Sequence, residues 1–222
     1  MCGRYSLIGI DDLGTRFRIT DPAFGFRSRF NIAPGSMVPV IVHRERTEAM
    51  MMAWGLVPRW TQDRNAVHPI INARAETISQ KPSFRDLLKG NRCLIPASGF
   101  FEWRRENTRK MPFYIRMRDS RPFAFAGLYD VWHDPAGNDV STCTIITTRP
   151  NELVAPIHNR MPVILDWDNE SRWLSDKSLS MADLDKFLAP YPPAEMEAFP
   201  VLPLVNDPKI DDERLIHPFV GL

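Results

Sequence analysis

Cysteine is scarce in this chain, and so is any long apolar run. Only 3 Cys occur in 222 residues (Cys2, Cys93 and Cys143), an odd number at wide spacing with no CxxC pair. That excludes a disulfide scaffold and argues against a structural zinc site, so neither a metal nor a cofactor is expected. The longest apolar runs are short ones such as Thr144–Thr147, which cannot span a bilayer. The first residues, Met-Cys-Gly-Arg-Tyr-Ser, lack the apolar stretch of a signal peptide. The chain is therefore expected in the cytoplasm, at the nucleoid if the source is prokaryotic, and away from membranes. Walker A, GxGxxG and HExxH sequences are absent, which leaves phosphate-loop, dinucleotide and zincin readings without support. The 20 Pro, nearly twice the usual share, exclude long helices over most of the chain.

What is present is the balance of a globular protein, 44% hydrophobic and 25% charged, with 13 Phe and 6 Trp to fill a core. Without repeat, low-complexity run or linker, residues 1–222 read as one domain. Helices are expected from an Asp168 cap to about Ser175, from a Ser180 cap to about Leu188, and near Ile10–Phe17 and Ser83–Leu88. Met37–His43 and Glu48–Trp54 read as a hairpin; Arg92–Arg104, Met111–Arg118, Pro122–Trp132 and Val140–Thr148 read as a meander. Its turns fall at Glu106–Thr108, at Asp119–Ser120 and between Asp134 and Asp139. Phe113, Ile115 and Met117 alternate with Tyr114, Arg116 and Arg118, one buried face and one basic. The fold expected is α+β: a curved, mostly antiparallel sheet or open barrel flanked by a few short helices.

The net charge of +1 hides a polarity. Residues 1–121 carry 21 Lys+Arg against 11 Asp+Glu, a balance of +10, and residues 122–222 carry 7 against 16, a balance of −9. Arginine, with its planar fork, dominates the basic half. Two readings stand level: a surface for an anionic partner such as nucleic acid, or neutralisation across an interface between the halves.

Four places can carry chemistry. Removal of Met1 would leave Cys2 with an amine and a thiol on adjacent carbons. An α-amine with a pKa of ~7.7–8.0 is partly neutral at pH 7. An aldehyde would form an imine with it, and the thiol would close a five-membered thiazolidine. The alternatives for Cys2 are the nucleophile of a hydrolase or an inert small hydrophobe. Asn72, at the end of the extended Ile70–Ile71 run, can hold a substrate or the N-terminus or can be a helix cap, and Arg74 can reach a phosphate. Glu102 lies among Phe100, Phe101 and Trp103, surroundings that raise a carboxyl pKa, though it can equally be a solvent-facing residue of an edge strand. His158 sits in a loop bracketed by Pro156 and Pro162, beside Arg160, as a general acid–base or as a structural histidine.

Met-Cys-Gly-Arg at the start, Arg29–Gly35, Trp54–Pro58, Ile71–Glu76, Gly99–Trp103 and His158–Pro162 occur in this order. With these motifs the chain resembles the SOS response-associated peptidase (SRAP) family, of the YedK and HMCES type, over essentially its whole length. The resemblance implies a monomer that binds single-stranded DNA and cross-links covalently to abasic sites through Cys2, with lyase-like chemistry and peptidase self-processing of the N-terminus. It implies Cys2, Asn72, Glu102, His158 and Thr147 as catalytic residues. It implies DNA contacts from Arg4, Trp60, Arg74 and Arg160, and Tyr114 is a further aromatic able to stack a base. Some members have two adjacent Trp after the Trp54–Pro58 motif, where this chain has Arg59-Trp60-Thr61. The rival functions are a cysteine peptidase using Cys2 and His158, and a non-covalent single-stranded nucleic-acid binder.

Overall fold

Hydrophobic alternation and turn chemistry generate thirteen strands and five short helices among the described residues of a computed structural model, which are 2–9, 13–19, 27–63, 67–106, 109–175 and 179–219. In chain order they are β1 (Tyr5–Leu7), α1 (Leu13–Phe17), β2 (Arg29–Ile32), β3 (Met37–His43), β4 (Thr47–Trp54), β5 (Asn72–Arg74), α2 (Pro82–Arg85), α3 (Leu87–Gly90), β6 (Arg92–Ala97), β7 (Gly99–Glu106), β8 (Arg109–Met117), β9 (Phe123–His133), β10 (Asp139–Thr148), β11 (Met161–Pro162), β12 (Ile164–Leu165), α4 (Trp167–Ser175), α5 (Met181–Phe187) and β13 (Met196–Pro200). None of these helices is long and apolar enough to cross a membrane.

Strands β3, β4, β6, β9 and β10 close on themselves. β9 pairs β6 on one side and β10 on the other, β3 joins β6 to β4, and β4 runs parallel to β10 through Thr142↔Ala53 and Cys143↔Trp54. The expected α+β architecture is present, and this parallel pairing is what turns a curved sheet into a barrel. Beyond the β4 contact, β10 takes β5 as its parallel neighbour through Ile145↔Asn72 and Thr147↔Arg74, and β11 as an antiparallel one through Thr147↔Pro162. One end of β10 thus gathers residues from three distant chain segments. A second, antiparallel sheet has the order β13-β8-β7-β1-β2.

The meander is corrected in one respect. Arg92–Arg104 is broken at Ser98, whose N–H donates to the Ser6 carbonyl at 2.8 Å, and its halves enter different sheets, β6 in the barrel and β7 in the second sheet. Gly99 makes the crossing possible, because a Cβ there would lie 2.3 Å from the Tyr114 ring. Tyr114 is the second correction. Both faces of central β8 are covered: Phe113, Ile115 and Met117 face the main core, while Tyr114 packs with Phe101, Val201, Val205, Leu215 and Ile216.

Helix α5 follows a Ser180 capping box, with Asp183 returning the bond, but α4 is capped by Asp166 rather than Asp168, its carboxylate accepting from the Asn169 N–H at 2.8 Å. Asp168 instead lies in the first turn, where a negative charge suits the helix dipole. The helix near Ser83–Leu88 is two single turns, α2 and α3, while Ile10 and its two successors, with Asn107 and Thr108, lie outside the described residues.

The second reading of the charge polarity accounts for part of it. Among the described residues five arginines of the basic half pair with carboxylates of the acidic half, Arg16–Glu170, Arg29–Asp211, Arg59–Asp130, Arg116–Glu197 and Arg121–Glu195, and Arg160–Glu76 crosses in the opposite sense. Exposed cations remaining outside these pairs include Arg74, Arg105, Arg109 and Lys110.

Candidate active site

The backbone of residues 2–4 is fastened from three sides. Strand β1 pairs β7 through Tyr5↔Phe100 and β2 through Tyr5↔Ile32, and the Phe101 N–H donates to the Arg4 carbonyl at 3.0 Å. The Arg4 guanidinium donates to Asn31 Oδ1 at 2.8 Å and to the Val205 carbonyl at 2.7 Å. Asn31 in turn donates to the Asp207 and Ile210 carbonyls, and Asp211 accepts from the Phe30 and Asn31 N–H groups and from Arg29. The Arg29–Ile32 motif is therefore a dock for the C-terminal segment, which clamps the chain's beginning through Arg4.

The third fastening is Asn72, whose Nδ2 donates to the Cys2 carbonyl at 2.9 Å. Asn72 is set by the β5–β10 ladder and by the preceding residue, since Trp54 Nε1 donates to the Ile71 carbonyl at 3.0 Å. At Gly55 beside Trp54, with φ of 139°, a Cβ would meet Pro69 at 2.8 Å, so the Trp54–Pro58 motif needs glycine there. Asn72 Oδ1 is buried and finds no hydrogen-bond partner among the described residues. A buried amide oxygen in that state is an acceptor ready for an added donor.

Cys2 is wholly buried, and burial, then the nearby Glu102 charge, push its thiol well above the usual cysteine range. Glu102 projects from β7 and is only 2% exposed, which excludes the solvent-facing edge-strand alternative. Burial lifts its carboxyl to about 7, against the positive charge of the chain's N-terminus. His158 Nδ1 stands 3.7 Å from Glu102 Oε1. Burial, the N-terminal charge, Arg105 and Arg160 pull this imidazole below its usual value of 6.5, while a bond to the Arg160 backbone opposes them. The Cys2 carbonyl and buried thiol, a carboxyl titrating near neutrality and an imidazole thus lie together, the equipment for proton transfer at a carbonyl or imine carbon.

Around them, Thr147 is buried, its Oγ1 donating to the Ala73 carbonyl at 3.4 Å. Arg74 is exposed on β5, opposite Thr147 in the ladder. Trp60 is 56% exposed on a turn held from below: the Arg59 N–H donates to Asp130 at 2.9 Å, Trp132 Nε1 to the Thr61 carbonyl at 2.6 Å, and the Val57 N–H to Thr142 Oγ1 at 3.0 Å. Tyr114 is 1% exposed, its hydroxyl 2.7 Å from Ser6 Oγ and its ring against Phe101 and Phe199, so it offers no face to a base. Arg4 is committed to the C-terminal segment, and Arg160 to Glu76 at 2.6 Å. Glu76, Arg105 and Asp130 were not singled out from sequence. The Ile71–Glu76 motif contained Glu76, but only the fold shows which cation it meets. Among the described residues no group of three or more His, Cys, Asp or Glu is placed to hold a metal ion.

The family model for SOS response associated peptidase (SRAP) matches residues 1–208. The Bacillus subtilis abasic site processing protein YoqW is 44% identical over 222 residues, covering 98% of this chain and 99% of its own. The Gallus gallus abasic site processing protein HMCES is 32% identical, covering 87% of this chain and 67% of its own. A crystal structure of a protein from Bacteroides thetaiotaomicron superposes with a TM-score of 0.89 at 30% identity, over 99% of this chain and 100% of that one. The six ordered motifs, the barrel with its appended sheet and these matches over nearly the full length lead to one statement: the chain belongs to the SOS response associated peptidase family.

Proposed function

We propose that this protein captures abasic sites in single-stranded DNA covalently, through the N-terminal cysteine exposed when Met1 is removed. The observation that carries the reading is the Asn72 bond to the Cys2 carbonyl beside the Glu102–His158 pair. A peptide carbonyl so held keeps the α-amine and the thiol of Cys2 in a fixed relation to both acid–base groups. The names of the YoqW and HMCES relatives supply the substrate class.

The chemistry balances without a cofactor. His158 assists opening of the deoxyribose to its aldehyde, and Glu102 takes a proton from the α-ammonium of Cys2. The neutral amine adds to the aldehyde carbon, and water leaves as the imine forms. The thiol then adds across the C=N bond, its sulfur to carbon and its proton to nitrogen, and a thiazolidine closes. Loss of the imine removes the electron sink that would drive β-elimination and strand scission, so the adduct shields the lesion. A thiol held above its usual pKa suits this order, since an imine accepts a neutral thiol with proton transfer through Glu102, whereas a peptidase nucleophile works as thiolate.

Exposed Arg74, Arg105, Arg109 and Lys110 supply the attraction to phosphates, and Trp60 a stacking surface. Arg4 and Arg160 serve in this reading as internal braces. Intact mass of the Met1-processed protein incubated with an abasic oligonucleotide tests it. A denaturant-resistant adduct with loss of one water is expected for wild type and none for Cys2→Ala; an adduct of wild-type yield in Cys2→Ala would overturn it.

A further inference from the structure

The backbone N–H and C=O of one residue, Arg160, both meet the His158 ring. The Arg160 N–H donates to Nδ1 at 3.1 Å, and the Arg160 carbonyl lies 3.2 Å from the same Nδ1. A neutral ring with its proton on Nε2 accepts from that N–H; an imidazolium, protonated at Nδ1, donates to that carbonyl. The ring can therefore change protonation state without turning, provided the Arg160 backbone stays still.

The Arg160 side chain is what keeps it still. One guanidinium nitrogen donates to Glu76 Oε1 at 2.6 Å; the other donates to Glu76 Oε2 at 3.0 Å and to the Thr147 carbonyl at 2.6 Å. The fork is bidentate on the carboxylate and is pinned to the end of β10, and the arginine side chain is only 14% exposed. Both terminal nitrogens are thus bonded inside the protein, while the buried Nε finds no hydrogen-bond partner among the described residues. The charged groups that face His158 are Glu102, the chain's N-terminus, Arg105 and Arg160 itself.

We propose that Arg160 is the positioning residue of His158, its main chain a two-way cradle for the ring, and that Glu76 is the anchor that holds this cradle against Thr147. The proposal rests on the cross-linking function above for its consequence, but its core is testable without DNA. Glu76 is half exposed, so its removal leaves the core intact.

The experiment uses the full chain labelled with 15N-histidine, at a pH where the ring is neutral. Wild type and Glu76→Gln, which keeps an acceptor for the fork, should show His158 as a single Nε2–H tautomer with Nδ1 accepting. Glu76→Ala should show a mixture of the two tautomers. In parallel, Glu76→Ala should slow adduct formation on the order of 10-fold with non-covalent DNA affinity not reduced, and should add nothing in a His158→Ala background. An unchanged single tautomer in Glu76→Ala would overturn the proposal, as would an equal loss of rate with and without His158. Tighter DNA binding together with an unchanged ring would make Glu76 a mask over a phosphate-binding Arg160, which also overturns it. Failure of wild type to form any adduct would overturn the proposed function instead, and the tautomer measurement would still decide the clamp.

Discussion

Replacing Glu102 by Gln should make the protein more stable at alkaline pH while disabling it. The carboxyl has a folded pKa of about 7 against an ordinary value of 4.5, with burial as the leading cause. A raised carboxyl pKa means the native state holds the proton more tightly than the unfolded chain does. Below pH 4.5 both states are protonated and there is no penalty. As pH rises from 4.5 to 7 the unfolded chain ionises first, and stability is lost across that window. At about 1.4 kcal/mol per pKa unit, the loss saturates near 3 kcal/mol above pH 7. Glutamine is neutral in both states and nearly isosteric, so Glu102→Gln avoids this loss. Urea unfolding of both proteins at pH 4.5 and at pH 8 measures the difference. The variant should match wild type within about 1 kcal/mol at the lower pH and exceed it by roughly 2–3 kcal/mol at the higher. For a chain of this size that corresponds to about 5–10 °C in Tm. A stability difference that does not change with pH would refute the reasoning, because it would mean that Glu102 titrates alike in both states. The same variant should form adduct far more slowly, since the amide cannot accept the ammonium proton. Stability gained where activity is lost is the signature of a carboxyl retained for chemistry.

Three further outcomes follow from the same geometry. Asn72→Ala strips the buried Cys2 carbonyl of its donor, should cost about 1–3 kcal/mol in urea unfolding, and should slow adduct formation without abolishing it. Trp60→Ala should weaken non-covalent binding of single-stranded DNA by ~1–3 kcal/mol, read by fluorescence anisotropy, and should leave unfolding unchanged because the turn is held by Arg59, Thr61 and Val57 rather than by the exposed indole. Arg74→Ala should weaken DNA binding and flatten its salt dependence, while Arg172→Ala, whose guanidinium pairs with Asp183 on the helical side, should do neither; equal losses would show that binding is not localised to the Arg74 face.

Local sequence marked the elements whose signal is local. The Ser180–Asp183 capping box starts α5 within a residue of its expected place, and the Met37–His43 hairpin partner lies one residue from where alternation puts it. What escaped is long-range. No pattern within residues 92–104 says that β6 and β7 diverge into two sheets, because the decision is made at Gly99 by the approach of a ring fifteen residues away. Alternation assigned Tyr114 to an outer face, and this was correct for one sheet considered alone. The C-terminal segment then covers that face with Val201, Val205, Leu215 and Ile216, a partner that no window around β8 contains. Glu102 was legible only in part: Phe100 shares its side of β7, but Phe101 and Trp103 join the cluster around Tyr114 on the other side, and its acid–base neighbour His158 comes from a distant loop. Glu76 was not legible, because its carboxylate acts on an arginine eighty-four positions away.

The charge polarity shows how such a signal is to be weighed. Taken as a surface property, +10 against −9 suggests a strongly basic face. Folding spends much of it internally: Arg16 is forked on Glu170 and sandwiched by Phe17 and Trp167, Arg29 meets Asp211, and Arg59 meets the buried Asp130. Each of these pairs tacks the later half of the chain onto the earlier one, and Asp130 also sets the turn that presents Trp60. A linear charge split can therefore arise from mutual attachment of two halves and still leave a basic surface, where exposed cations pair with no carboxylate among the described residues. Arg74 and Arg105 are the ones that matter, because the first lies on the ladder that carries Asn72 and the second lies close enough to His158 to lower its pKa. Their positions, rather than the net count, are what tie the charge of this chain to the site around Cys2.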